Sequence, residues 1–421
     1  MRRSPAYRDK DMPASRTQPS NGKFASELAG GREPRRSRRT LLAGAAVASL
    51  LAFGAAASPP GASAATGSPL DGNGMWIWYV SASGGSAEAI AKKANKHNID
   101  TVMIKSSDAS HYWGQFSPEL VDVLHDSGLR VCAWQFVYGG DPRPEAAVGA
   151  EAVENGADCL LIDAESHYEG RYKAAARYID ELRQRVGADY PVALATFPYV
   201  DFHPSFPYSV FLADGAAQFN VPQMYWKTIG TSVRNIYAHT YEVNAPYNRP
   251  IFPLGQTYLN VSRKSVIKFR KYARRYDAGG VSWWSWQETK GREWRWVGKP
   301  LGGDATRSRA AGGIAASRYA TIERGDRGDL IVWAQQHLAA HAQEVQIDGT
   351  YDSETVKAVR RFQAAKGLEP NGSVDGPTWQ ALLAREPVSV NWSRRGNPAG
   401  VRDLALLDAL RVELPLTPGR P

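Results

Sequence analysis

The segment GADCLLIDAE, residues 156–165, decides the fold class of this 421-residue chain. Its aliphatic middle is typical of a strand that is buried on both faces, as strands are in parallel sheets covered by helices. The run ends in two carboxylates, Asp163 and Glu165, and side chains two positions apart on a strand point to the same face. In a (β/α)8 barrel the functional groups lie at the carboxyl ends of the strands. We therefore predict a site built on these two acids at the mouth of such a barrel.

The flanking sequence favours an α/β fold, a (β/α)8 TIM-type barrel over residues 74–300. Most gaps between the predicted strands carry a helical pattern, which is clearest in the apolar stripe from Tyr172 to Val186. Eight strands alternating with helices over about 225 residues favour a closed barrel over an open sheet. The weakest unit follows the fifth strand, where 206–213 is the only helix candidate. The eight strand-forming runs begin near Met75, Thr101, Arg130, Cys159, Val192, Phe219, Ile251 and Val281.

The two acids predict acid–base chemistry. Partial burial and a neighbouring carboxylate both raise the pKa of a Glu, so Glu165 is the candidate general acid, and we expect Asp163 to stay ionised. The alternative is a structural ion pair with Lys105 or Arg130. Three further acids are candidates for a supporting role, and they are Asp108, Asp158 and Glu288.

Residues 158–165 resemble the fourth-strand motif Asp-x-x-Asp-x-Asp-x-Glu of chitinase-like glycoside hydrolases. Asp158, Asp163 and Glu165 match that motif, whereas Leu161 replaces its second acid. The resemblance implies that Asp163 supports the substrate's own acetamido group, which attacks the anomeric carbon in place of an enzyme nucleophile. A weaker likeness connects the chain to cell-wall lysozymes with Asp-x-Glu on this strand. Those enzymes also carry an Asp on the first strand, which residues 74–80 lack.

Two further strand ends resemble the same family. PQMYW at 222–226 is similar to the sixth-strand Met-x-Tyr-Asp, whose Tyr binds the acetamido carbonyl, and GGVSWWSW at 279–286 is similar to the eighth strand, whose Trp lies under the sugar. Aromatic rings are also common in barrel cores, and sequence parity does not decide which of two nearby Trp residues faces the substrate. The candidate substrate-binding residues are Trp78, Trp134, Gln223, Tyr225, Trp284 and Trp286.

The C-terminal part contains an internal echo, DGTYDSET at 348–355 and NGSVDGPT at 371–378. Each copy predicts an Asp/Asn-Gly turn that leads into a capped helix. With RGDRG at 324–328 and AVRRFQ at 358–363, residues 322–384 resemble the small all-α peptidoglycan-binding domain of bacterial wall hydrolases. The resemblance implies peptidoglycan as the partner. The candidate binding residues are Asp348, Gly349, Tyr351, Asn371, Gly372 and Asp375.

The remaining segments predict export and domain connection. Paired arginines at 35–39 precede an Ala-rich apolar stretch and Ala-Ser-Ala at 62–64, so residues 1–65 resemble a twin-arginine export signal with a basic tail. We expect a spacer at 66–73, a linker at 301–321 with few contacts between domains, and a loose tail at 385–421. The mature protein is predicted to be secreted, wall-associated, monomeric and without a membrane span.

Charge argues against a nucleic-acid partner. Residues 1–40 hold 11 Lys or Arg against 4 Asp or Glu, so about +2 of the net charge of +9 belongs to the rest of the chain. We expect no cofactor and no metal. The metal alternative is a zinc site formed by His111, His167 and His203 with Asp163, although no short His spacing supports it.

Cys132 and Cys159 are the two cysteines of the chain. They fall on neighbouring predicted strands, and we expect buried thiols, with a disulfide as the alternative for an exported protein.

The sequence as a whole predicts a secreted hydrolase of N-acetylated wall glycans. Its alternative is a wall-binding protein whose barrel has lost turnover.

Overall fold

The computed structural model describes residues 67–299 and 318–409. Residues 72–284 contain eight parallel strands in the order β7-β6-β5-β4-β2-β1-β9-β8, and a two-residue β3 pairs antiparallel with β2. Two parallel bridges, Asn220 to Ile251 and Gln223 to Leu254, join β7 to β8 and nearly close the barrel. The predicted barrel is confirmed. The strands are β1 (Gly72–Ile77), β2 (Thr101–Asp108), β3 (His111–Tyr112), β4 (Arg130–Val137), β5 (Cys159–Ala164), β6 (Val192–Thr196), β7 (Phe219–Pro222), β8 (Leu254–Gln256) and β9 (Gly280–Trp284).

Helices cover the outside of this barrel. Four of them begin at a serine, Ser86, Ser117, Ser232 or Ser262, whose hydroxyl accepts a hydrogen bond from a first-turn backbone N–H. The helix after β6 is a single turn. The barrel helices are α1 (Ala87–Lys96), α2 (Pro118–Asp126), α3 (Pro142–Glu154), α4 (Tyr172–Val186), α5 (Tyr208–Phe211), α6 (Val233–Asn244), α7 (Arg263–Arg275) and α8 (Trp294–Val297).

A disulfide lies in the barrel core. Cys132 of β4 and Cys159 of β5 are direct register partners with Cα atoms 4.6 Å apart, and their sulfur atoms are bonded. The two residues are buried as expected, but the prediction of free thiols is wrong. Register is the reason, because it places the two side chains side by side on the same face of the sheet.

The C-terminal domain is helical, with α9 (Asp329–Ala340), α10 (Ser353–Ala365) and α11 (Gly376–Leu382). One glutamine holds each copy of the sequence echo. Gln335 of α9 accepts from the N–H groups of Asp348 and Gly349 and donates to Thr350 O. Gln363 of α10 accepts from Gly372 N–H and donates to Ser373 O. The echo is therefore a repeated turn clamped by a helix side chain.

The C-terminal domain packs against the barrel where α5 is short. α9 contacts α5 and the 3-10 turn Ala245–Tyr247, and it is buried from Asp329 to Leu338. Trp333 Nε1 donates to Pro246 O at 2.6 Å. Gly328, at φ 121°, lies so close to Pro204 that a Cβ atom would clash with it. The expectation of few contacts between the domains is wrong, because a one-turn α5 leaves this side of the barrel to be covered by α9.

The segment after the C-terminal domain is ordered as well. Trp392 is buried and its ring lies 5.1 Å from that of Tyr172 on α4. Helix α12 (Ala399–Ala409) begins where Gly400 N–H donates to Asp348 O, at the first echo turn. The prediction of a loose tail is wrong for residues 388–405, since these residues bridge α4 and the C-terminal domain.

The predicted export signal and most of the predicted linker lie outside the described residues. In the described ranges, no helix has both the length and the apolar character needed to cross a membrane.

Candidate active site

Asp163 and Glu165 lie together at the carboxyl end of β5, as predicted. Both are buried, with 5% and 7% of their surfaces exposed. Gln223, which follows β7, donates Nε2 hydrogens to Asp163 Oδ1 at 3.0 Å and to Glu165 Oε1 at 2.9 Å. An amide NH2 has two hydrogens, so one side chain holds both carboxylates in place. Gln223 was predicted to bind substrate, and the structure gives it this bridging position.

Burial controls the charge of the acid pair. It raises the pKa of Asp163 well above the usual range, and the charge of Glu165 adds to the effect, while Lys105 and the Gln223 hydrogen bond oppose it. Burial also raises the pKa of Glu165, against the Gln223 hydrogen bond and the charge of His203. The prediction of a raised Glu165 pKa agrees with this environment. The ionisation of Asp163 stays a prediction, because burial and the charge of Glu165 raise its pKa while Lys105 and Gln223 lower it.

A buried lysine lies beside the acids. Lys105 of β2 has no exposed surface, and its Nζ lies 2.6 Å from Asp108 Oδ2. Tyr138 OH donates to Asp108 Oδ1 at 3.0 Å. The ammonium also lies over three indole rings, at 4.2, 4.6 and 4.8 Å from the centroids of Trp78, Trp113 and Trp134 respectively. Asp108 therefore pairs with a buried cation next to the acids, and its role as a supporting acid stays a prediction.

Aromatic rings fill the barrel below the acids. Trp76, Trp78, Trp134 and Trp284 contact one another with ring centroids 5.3–5.6 Å apart. Trp134 is fully buried, and its Nε1 donates to Ile77 O. Trp284 is 6% exposed, whereas Trp78 is only partly buried. Of these four rings, Trp78 therefore offers the largest accessible face to a ligand.

The end of β9 at Trp284 separates two of the predicted tryptophans. Trp284 points into the barrel core and precedes a cis peptide bond to Ser285. Trp286 is buried elsewhere, with its ring 4.7 Å from Trp294 of α8 and below the Lys93 ammonium. Trp286 thus packs beside α8 with 2% of its surface exposed, and its binding of a sugar stays a prediction.

Two tyrosines complete the mouth. Tyr225 is 5% exposed and packs edge-on against Tyr258, with centroids 5.6 Å apart. Burial raises the pKa of Tyr225 above its usual range, and nearby negative charges, including those of Asp163 and Glu165, add to the effect. Tyr225 is thus a neutral hydroxyl close to the acids, where it was predicted. Tyr258 was missed, because it follows the short β8.

The two other predicted supporting acids differ from Asp108 in their surroundings. Asp158 precedes β5, and its Oδ2 accepts from Val131 N–H and pairs with His125 Nε2 at 2.9 Å. It stands seven residues before Glu165, about 23 Å along an extended strand, so the structure gives its predicted supporting role no contact with the pair. Glu288 is an exposed residue after β9.

The histidines of the zinc alternative have other neighbours. His203 Nδ1 lies 2.8 Å from Glu169 Oε1, and its ring stacks on Phe197 at 3.5 Å. The His167 ring packs edge-on against Tyr138 at 4.8 Å, and His111 is exposed. Within residues 67–299 and 318–409, no group of three or more His, Cys, Asp or Glu side chains is arranged to hold a metal ion.

The predicted peptidoglycan-binding residues build the echo turns. Tyr351 is fully buried and donates its hydroxyl to Gly372 O at 3.0 Å. Asp348 Oδ1 accepts from Thr350 N–H, and Asn371 Oδ1 accepts from Ser373 N–H. Asp375 caps α11. These contacts explain the conformation of the turns, and a direct contact of these residues with peptidoglycan stays a prediction.

The family match covers the C-terminal domain only. Residues 327–382 match a family model described as "Putative peptidoglycan binding domain". A peptidoglycan-binding protein from Clostridioides difficile is 32% identical to this chain, with a TM-score of 0.15. The match covers 16% of this chain and 42% of that protein. No curated protein matched the chain.

Two solved structures overlap more of the chain. The spore cortex-lytic enzyme SleL from Bacillus cereus is 11% identical, with a TM-score of 0.39. That match covers 54% of this chain and 73% of the SleL chain. A class V chitinase from Nicotiana tobaccum is 7% identical, with 54% and 97% covered and a TM-score of 0.43. The strand topology and the family match together show a (β/α)8 barrel joined to a C-terminal helical domain of the peptidoglycan-binding type.

Proposed function

We propose that this protein is a secreted, wall-associated hydrolase that cleaves glycosidic bonds of N-acetylated amino sugars, with peptidoglycan as its substrate. The observation that carries the proposal is the buried pair of Asp163 and Glu165, bridged by Gln223 at the carboxyl ends of the barrel strands. Most glycoside hydrolases act through two carboxyl groups that lie close together beside the scissile bond. The match of residues 327–382 supports the wall as the location of the substrate.

The residues divide the reaction between them. Glu165 donates a proton to the glycosidic oxygen as the bond to the leaving sugar breaks. The acetamido oxygen of the substrate attacks the anomeric carbon, and Asp163 as carboxylate accepts a hydrogen bond from the acetamido N–H. Tyr225 donates its hydroxyl hydrogen to the acetamido carbonyl oxygen. Water then opens the cyclic intermediate, with Glu165 taking back a proton.

Replacement of Glu165 by Gln tests the assignment. We expect reducing-end release from purified peptidoglycan to fall by about 100-fold to 10,000-fold, because the amide cannot donate a proton as an acid. Glu288→Gln is the matched control, since it removes an exposed acid at the same end of the barrel, and it should retain wild-type turnover. Full activity in a folded Glu165→Gln protein would contradict the proposal.

A non-catalytic wall-binding barrel is the second candidate. Leu161 in place of an acid favours it, as does the small exposure of the two carboxylates. This candidate predicts that the wild-type mature chain binds N-acetylated oligosaccharides and wall fragments yet releases no reducing ends at any pH. Measurable cleavage that depends on Glu165 would exclude it.

A further inference from the structure

We propose that Lys105 is a positioning residue of this site: its buried ammonium keeps a negative charge on Asp163, in place of the acid that Leu161 replaces. The inference rests on the proposed function, because it assigns the residue that prepares Asp163 for the reaction. From the sequence alone, Lys105 was a candidate only for a structural ion pair with the two acids.

Strand register places the lysine at the required level. Lys105 of β2 is in register with Trp134 of β4, and Trp134 is in register with Leu161 of β5. One layer nearer the mouth, Asp108, Phe136 and Asp163 are in register with one another. The Lys105 Nζ reaches Asp108 Oδ2 in that upper layer. A cation based at the level of Leu161 thus extends toward the level of Asp163.

The surroundings of Lys105 keep it charged and fixed. A fully buried ammonium is stable only with an anionic partner and further contacts, and Asp108 supplies the first. The faces of Trp78, Trp113 and Trp134 supply the second, because each indole ring attracts a cation by its quadrupole. The ion pair and the three rings thus surround the ammonium with protein groups.

Lys105 interacts with more than its ion-pair partner Asp108. Asp108, Asp163 and Glu165 are three acids, and Lys105 is the cation whose charge acts on Asp163. The charge of Lys105 lowers the pKa of Asp163, whereas the charge of Asp108 raises it. Without the ammonium, burial and the charge of Glu165 act on Asp163 with less opposition, and Asp163 binds a proton at higher pH.

The remaining groups around the pair come from the other strand ends. The amide of Gln223 bridges the two carboxylates, and the charge of His203 acts on Glu165. The hydroxyls that face the site are neutral near pH 7. The charges of Lys105, Asp108 and Glu165 act on Asp163, and that of His203 acts on Glu165. Farther out, Tyr138 is hydrogen-bonded to Asp108, the charges of the pair act on Tyr225, and those of Glu165 and Glu288 act on Tyr258.

Lys105→Met in the mature full-length chain tests the inference. The reaction requires ionised Asp163, so kcat/KM falls on the acidic side as Asp163 is protonated. We expect this acidic limb to move to higher pH by one unit or more in Lys105→Met, with a smaller change on the plateau. Lys227→Met is the matched control, because Lys227 is an exposed lysine after β7 at the same end of the barrel, and its charge is screened by solvent. The control should leave the limb in place.

A second variant covers loss of folding, because Lys105→Met leaves Asp108 buried without its cation. Lys105→Met combined with Asp108→Asn removes both charges of the ion pair and retains a neutral, well-packed core. The limb should still move to higher pH, by less than in the single variant. An unmoved limb in the double variant, with wild-type melting behaviour, would overturn the inference.

An infrared titration reads the same charge without turnover. The carbonyl band of a protonated carboxylic acid that disappears in Asp163→Asn reports on Asp163, and its midpoint should rise in Lys105→Met and in the double variant. If the wild type cleaves no glycan, the proposed function fails, and the infrared midpoint still decides the role of Lys105. If the midpoint is the same with and without Lys105, the inference fails even where the enzyme is active.

Discussion

Replacing Asp329 by Ala should loosen the C-terminal domain from the barrel. The Asp329 carboxylate is fully buried at the first turn of α9 and accepts four hydrogen bonds from the barrel. Tyr172 OH and Tyr247 OH donate at 2.6 Å each, and Ser209 donates its N–H at 2.8 Å and its hydroxyl at 2.7 Å. The acid therefore joins α4, α5 and the turn before β8.

The magnitude follows from these four donors. Each buried donor left without a partner costs about 1–3 kcal/mol. Removing the carboxylate also recovers several kcal/mol of its own desolvation penalty. The net loss in the free energy of unfolding is about 3–5 kcal/mol, the range typical when one partner of a buried charged network is removed. For a protein of this size we expect the melting temperature to fall by about 5–10 °C.

Differential scanning calorimetry on the mature chain measures the effect. Asp403→Ala is the matched control, since Asp403 is 71% exposed in the same C-terminal region and its pair with Arg327 spans 3.4 Å. The control should change the free energy of unfolding by about 0.5 kcal/mol or less. A melting temperature for Asp329→Ala within one degree of wild type would refute the view that this network holds the domains together.

The same carboxylate gives a pH dependence of known sign. Burial raises the pKa of Asp329 to about 6, against the hydrogen bonds, which lower it. The folded state therefore binds a proton at this site more tightly than the unfolded state, whose Asp titrates near 3.9. The contribution of Asp329 is most favourable below pH 4, and it is lost as the pH rises toward 6. Relative to Asp329→Asn, wild-type stability should thus fall by about 2–3 kcal/mol between pH 4 and pH 7.

Three further results are expected. A chain that ends at residue 299 should expose hydrophobic surface and melt well below the intact protein, because α9 no longer covers α5; an unchanged barrel melting temperature would contradict this. Gln223→Leu should lower turnover by at least tenfold with a smaller change in KM, because both acids lose their bridge, whereas normal turnover in a folded variant would remove Gln223 from the site. Reduction of the bond between Cys132 and Cys159 should destabilise the barrel by about 2–4 kcal/mol in denaturant titrations, and equal midpoints with and without reductant would show that the bond contributes no stability.

The sequence predicted the features that depend on local periodicity. The alternation of residues along 156–165 placed Asp163 and Glu165 on one face at the end of a strand, and the structure has them there. Strand register was not available from local pattern, and register is what brings Cys132 beside Cys159. Trp286 shows another limit, because it lies beyond the end of β9, where the strand alternation no longer gives the direction of a side chain.

The sequence itself indicates that Lys105 is an unusual buried charge. A lysine within the run TVMIKSSD at 101–108 lies in a predicted buried strand, where an isolated charge is rare and requires a partner. Asp108 stands three residues on and is visible in the sequence. The cage was not predictable, because Trp78, Trp113 and Trp134 come from three separate segments that only the closed barrel brings together.

The C-terminal domain is docked on the barrel through α9, which bears on how wall binding would assist the proposed activity. Four consecutive apolar residues, 330–333, cannot all lie on one face of α9, so this helix needs a second apolar surface besides its own small domain. The barrel supplies that surface beside α5 and the turn Ala245–Tyr247. A domain attached by a flexible linker raises local substrate concentration over a range set by linker length. A domain docked through Asp329 and Trp333 is instead fixed relative to the barrel, so under the proposed function wall binding would also orient the glycan strand.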